Sequence, residues 1–160
     1  MPANRGKDFE ARFMTDFKST VSDAWLFRLK DQMSGFKNAS RNPCDFIAFK
    51  SPDLFMLELK SIKGNTFPVD FRQYDILKEE HDRKISGISI GVIIWFQDHD
   101  RILYIPIEKF ISLKESGKKS FNIRHETEGF YEIPSKKLRV FMQSDYSGLP
   151  DYCRGLNERN

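Results

Sequence analysis

Asp45, Glu58 and Lys60 are the residues of this 160-residue chain whose types and spacing suit a chemical step. Glu58 and Lys60 stand two positions apart in Phe55-Met56-Leu57-Glu58-Leu59-Lys60-Ser61, an aromatic and aliphatic run that reads as a strand. Alternation puts Met56, Glu58, Lys60 and Ile62 on one face and Phe55, Leu57, Leu59 and Ser61 on the other. A carboxylate and an ammonium group thus share an apolar strand face, where burying either one unpaired is costly. Asp45 stands near the start of the preceding run, Asn42-Pro43-Cys44-Asp45-Phe46-Ile47-Ala48-Phe49, and Ser51-Pro52-Asp53 supplies turn punctuation between the two. An antiparallel return of such a hairpin brings Asp45 to Glu58 and Lys60. Two carboxylates on adjacent strands can hold a hard divalent cation, most naturally Mg2+, with positions left for water and phosphate oxygen. That cation would stabilise charge on a phosphate and lower the pKa of a bound water. Lys60 could then hold the attacking water or neutralise developing negative charge. The pattern alone leaves a second reading open, a Glu–Lys pair on a half-exposed strand, because many chains contain Asp…Glu-x-Lys by chance.

Several elements must position this hairpin. Residues 6–21 predict an amphipathic helix, with Phe9, Phe13 and Phe17 at i, i+4 and i+8 and Met14 and Val21 widening the stripe. Glu10 shares its inner face, either as a carboxylate reaching water at the stripe's edge or as a third acid delivered to the hairpin. Residues 24–30 read as a short strand. Residues 31–42 have loop composition, and Lys37 and Arg41 give that loop a basic character suited to phosphate or simply to solvent. After the hairpin, Lys63, Gly64 and Asn65 lead to Phe67-Pro68, and Pro68 and Asp70 suit the start of a helix over residues 71–83. Gln73 of that helix is a candidate to face the site or a surface glutamine. Residues 87–96 predict a buried central strand, residues 98–100 a turn, residues 101–105 a returning strand and residues 107–116 a short helix. Lys118, Lys119, Arg124 and His125 make a basic segment, and short extended pieces follow. Residues 1–146 therefore predict a single domain, and residues 147–160 a polar, flexible tail. The order of elements gives an α/β domain with a mixed central sheet flanked by helices.

Composition narrows the function classes. Twenty-six Lys and Arg against 23 Asp and Glu leave a net charge of +3, which permits a nucleic-acid partner without demanding one. Cys44 and Cys153 form neither a ligand pattern nor a disulfide framework, which points to a reducing, cytoplasmic setting. Cys44, without an obvious His partner, reads as a packed residue rather than a nucleophile. His81, His99 and His125 are scattered, with no HExxH or Cys/His cluster, so zinc is not expected. There is no P-loop and no GxGxxG, hence no nucleotide cofactor, and no run long and apolar enough for a membrane span.

The ordered set of motifs resembles a family. Asn4-Arg5-Gly6 and Glu10 in a first helix, then Asp45, Glu58-Leu59-Lys60-Ser61, Phe67-Pro68 and a helix bearing Gln73 resemble the RecU-type Holliday junction resolvases of the PD-(D/E)xK nuclease superfamily. The resemblance continues through residues 91–96, residues 102–105 and their following helix, Gly117-Lys118-Lys119-Ser120 and Ile133-Pro134. It implies a restriction-endonuclease-like core in which Asp45 and Glu58 are metal ligands, Lys60 the catalytic lysine, Glu10 the additional acid and Gln73 a supporting residue. It further implies a homodimer that nicks paired strands of four-way junctions with Mg2+ or Mn2+, encoded by a bacterial cell or by a phage. Arg5, Lys7, Lys37, Arg41, Lys63 and Gln73 are the candidate DNA contacts. The departure lies at residues 30–42, where family members carry a longer projection into the junction centre. A PD-(D/E)xK nuclease acting on duplex or other branched DNA, and a dimeric junction binder without catalysis, are the alternatives.

Overall fold

The computed structural model describes residues 4–30 and 42–159. Helix α1 (Arg5–Thr20) starts where the Asn4 side chain accepts the Lys7 backbone N–H at 3.2 Å, satisfying one of the donors a helix start leaves open. Its Phe9, Phe13 and Phe17 are all buried, and the Phe13 ring lies 4.9 Å from both Phe46 and Tyr146. Strands β1 (Trp25–Arg28), β2 (Phe46–Lys50) and β3 (Asp53–Ile62) then pair antiparallel in sequence order. The β2–β3 hairpin turns at Ser51-Pro52, so β3 begins at Asp53, two residues before its first aromatic residue.

Strand β4 (Thr66–Pro68) and helix α2 (Tyr74–Asp82) carry the chain across to β5 (Ile88–Phe96), which runs parallel to β3. Strand β6 (Arg101–Pro106) returns antiparallel and helix α3 (Ile107–Glu115) follows it directly, opened by Pro106. Strand β7 (Ser120–Asn122) pairs with β4, and β8 (Tyr131–Ile133) with the outer side of β6. Strands β9 (Ser135–Lys137) and β10 (Met142–Ser144) make a small hairpin before helix α4 (Leu149–Arg159). The six-stranded sheet thus has the order β1-β2-β3-β5-β6-β8. One face packs against α1, α4 and β10 through Leu57, Leu59, Ile93, Trp95 and Tyr104. The other packs against α2, α3 and the β4–β7 pair through Met56, Val92, Ile94, Phe96 and Ile105. This is the expected mixed sheet flanked by helices.

Two expectations are corrected. Helix α2 begins at Tyr74 rather than near residue 71, because the β4–β7 pairing and the Val69 N–H donated to Lys119 O at 2.9 Å hold the preceding chain extended. Asp70 is accordingly no cap and lies 3.3 Å from Lys114 instead. The supposed flexible tail contains α4, which buries Leu149, Pro150 and Cys153. Its polar composition hides one apolar edge at helical spacing.

Gly91 on β5 lets the α4 side close tightly. A Cβ there would stand 2.4 Å from the ring of Tyr104, which is fully buried and packs edge-on against Tyr152 of α4. Gly91→Ala is expected to destabilise the chain by about 1–3 kcal/mol, the usual range for overpacking a core, as read by chemical denaturation. No helix among the described residues is long and apolar enough to cross a membrane.

Candidate active site

The β2–β3 ladder ends with Phe46 opposite Leu57, and just before it the Asp45 side chain meets Glu58. The backbone holds Asp45 there from two sides. Its N–H donates to Leu57 O at 3.2 Å, and its carbonyl accepts the Leu29 N–H at 2.8 Å. Its side chain is also tied, with Oδ2 accepting the Leu59 N–H at 2.8 Å. Glu58 lies on the α2/α3 face beside Met56 and opposite Val92, and only 2% of it is exposed. Its Oε1 is 3.0 Å from Lys60 Nζ, which in turn donates to Gln73 Oε1 at 2.9 Å. Gln73 sits at the N-cap position of α2, so the late start of that helix delivers its amide to the lysine.

The electrostatics of this group are unbalanced. Burial, then the neighbouring Asp45 charge, pushes the Glu58 carboxyl up to about 7, although Lys60 opposes both. A second positive charge would relieve the two carboxylates, and their oxygens suit a hard cation that keeps water or phosphate in its remaining positions. Asp45 and Glu58 are therefore the residues fit to hold it. Among the described residues no group of three or more His, Cys, Asp or Glu side chains is arranged as a metal cage. Cys44 is packed, as expected. Its Sγ donates to Phe46 O at 3.2 Å, and burial pushes the thiol up to about 12, far from a nucleophilic thiolate.

The remaining candidates fall elsewhere. Glu10 is engaged by Arg28, with Nη2 2.5 Å from Oε2, and α1 packs on the sheet face away from Glu58. Arg28 pairs with Phe46 in register and so points to the α1 side, where strand alternation places it within reach of Glu10. Lys7 is exposed one turn before Glu10, and Arg5 stacks its guanidinium 5.8 Å from the Phe141 ring. Lys63 is exposed just past β3, where Gly64 N–H donates to Asp98 Oδ2 at 2.7 Å and Asn65 meets His99 at 2.6 Å. Lys37 and Arg41 lie outside the described residues, as does most of the expected projection. The structure thus gathers Asp45, Glu58, Lys60 and Gln73, and sets Glu10, Arg5 and Lys7 along α1.

No protein-family model and no curated protein matches the chain. Among solved structures it is similar to Hjc, a Holliday junction resolvase from the archaeal hyperthermophile Archaeoglobus fulgidus. The two share 14% identity with a TM-score of 0.44, over 66% of this chain and 78% of that one.

Proposed function

We propose that this chain is a Mg2+-dependent, structure-selective DNA endonuclease of the RecU type, with Mn2+ as a substitute, that resolves Holliday junctions by paired nicks from a homodimer. The observation that carries the reading is the pair of a buried Glu58 and a half-buried Asp45, with Lys60 held between Glu58 and Gln73. A module that only binds DNA has no use for two carboxylates facing phosphate. A nuclease on linear duplex would use the same group and differ in substrate alone.

When bound, the cation supplies charge stabilisation at the phosphate and a more acidic water. The protein supplies placement. Asp45 cannot swing, because the Leu59 N–H holds Oδ2. Lys60 directs two of its three N–H donors to Glu58 and Gln73, which leaves the third for a water or a phosphate oxygen. Glu58 is buried while Asp45 and Lys60 are half-buried, so the contacts to Glu58 are stronger than they would be at the surface and the site stays open to water and phosphate. Two such sites related by a dyad would cut symmetry-related strands.

The test compares a synthetic four-way junction, a linear duplex of the same sequence and a Y-fork, each with Mg2+, Mn2+ or EDTA. Metal-dependent paired nicks in the junction are expected, with slower cleavage of the duplex. Equal rates on all three would make it a general duplex nuclease. Salt-sensitive junction binding with no cleavage under any condition would establish the binding module instead.

A further inference from the structure

The sheet face that carries Asp45, Glu58 and Lys60 continues onto the edge strand. Leu29 stands beside Asp45 through the 2.8 Å hydrogen bond, and Phe27 and Trp25 follow at alternate positions of β1 on that same face. In register they lie opposite Ile47 and Phe49 of β2. Leu29 and Ile47 pack into the core under α2 and α3. Beyond them the described residues leave the face half open: Trp25 is 52% exposed, Phe27 48% and Phe49 42%. The Trp25 and Phe27 rings are within 13° of parallel with centroids 5.6 Å apart.

Size and charge decide what covers this patch. Three half-exposed aromatic side chains offer about 200–400 Å², against the ~800 Å² per partner that a stable protein interface takes. That is too little for a second copy of the chain but ample for one or two nucleobases. Same-face strand residues are spaced by ~7 Å, so the rings begin one step from Asp45. Stacked nucleotides rise ~3.4 Å each along a strand, which places these rings within a few nucleotides of a phosphate held at the site. The segments that bear them, residues 25–30 and 46–50, contain Arg28, Lys30 and Lys50 and no carboxylate.

We propose that Trp25, Phe27 and Phe49 form a stacking platform for unpaired bases of the DNA strand next to the phosphate being cut. The proposal rests on the reading that this face handles DNA. It adds a preference for substrates whose bases are already unpaired near the nick, since stacking on aromatic rings is indifferent to sequence but requires a free base face.

The experiment measures affinity in EDTA, where binding is read without cleavage, for a Y-fork with thymidine arms and for a blunt duplex. The double variant Trp25→Ala/Phe27→Ala is expected to lose about tenfold or more in fork affinity and less than about threefold in duplex affinity, the latter resting on phosphate contacts. Trp25→Phe should keep most of the fork affinity, and both variants should retain the wild-type melting temperature because these rings are exposed. Unchanged fork affinity in the double variant, or no fork binding by the wild type, overturns the platform. So does a wild-type dimer that becomes monomeric on the double substitution, because a second copy then covers the patch. Fork binding through the rings without nicking would sink the nuclease reading alone, whereas nicking with no response to the substitutions would sink the platform alone.

Discussion

Glu58→Gln is expected to lower metal-dependent nicking by about a hundredfold to a thousandfold, the usual loss when a group that stabilises transition-state charge is removed, and to raise the stability of the metal-free protein at pH 8. The two effects share one origin. The Glu58 carboxyl titrates at about 7 in the folded chain against an ordinary value of 4.5. A raised folded value means that the folded state holds the proton more tightly. The stability this contributes is fully present below about 4.5 and is lost as pH rises through about 7. Above that the metal-free fold carries a buried carboxylate at a penalty of about 3 kcal/mol, from ~1.4 kcal/mol per unit. Glutamine keeps the shape without the charge and gives up the attraction to Lys60. A gain of about 5 °C in Tm at pH 8 is expected, since ~1 kcal/mol is worth ~2–4 °C at this size, and the gain should shrink as pH falls and vanish below about 4.5. A variant that melts lower than wild type at pH 8 and nicks at the wild-type rate would falsify the assignment of Glu58 to the site. Stability given up for reactivity is the general pattern of functional sites.

Millimolar Mg2+ is expected to raise the Tm of the wild type at pH 8 and to leave it unchanged at pH 5. The cation must compete with the proton on Glu58, so its binding is weak below about 7 and releases up to one proton as it occurs. At a concentration ~100-fold above Kd, binding adds ~2.7 kcal/mol, about 5–10 °C for a chain of this length. Asp45→Asn should remove most of this response, because it leaves a single carboxylate. Differential scanning calorimetry at the two pH values decides the matter. A Tm at pH 8 that is indifferent to Mg2+ would show that Asp45 and Glu58 do not share a cation, whatever the protein does to DNA.

The hairpin was legible in the sequence because a strand has a period of two: once Phe55–Ser61 is a strand, Glu58 and Lys60 must share a face, and the turn at Ser51-Pro52 fixes their register with Asp45. Gln73 was readable only as a candidate. Its direction depends on where α2 starts, and that is set by the pairing of β4 with β7, strands more than 50 residues apart in sequence. Glu10 shows the same limit. Helical spacing puts it beside Phe13 and Phe17, but which face of the sheet receives α1 is a tertiary choice, made by Phe46, Leu57 and Tyr146 rather than by the helix itself. The exposed ring pair of β1 could not be separated from a buried strand by composition, since both are rich in aromatics. Asp16, a carboxylate in the middle of α1, gave no signal at all, yet its Oδ2 accepts the Ser144 N–H at 2.9 Å and ties α1 to β10.

The latch between α4 and the hairpin turn sets an order in time. Arg154 Nε donates to Asp53 Oδ2 at 3.0 Å, and its Nη2 reaches Ser51 O at 3.5 Å, so the middle of α4 grips the turn that joins the two strands of the site. The gripping residue follows the gripped one by 101 positions. At the ~5–20 residues per second of protein synthesis, the strands bearing Asp45 and Glu58 leave the ribosome about 5–20 s before the arginine that clamps their turn. A nascent chain therefore passes through a period in which its acidic pair exists without the brace behind it. The brace on the hairpin turn is thus added well after the strands it holds.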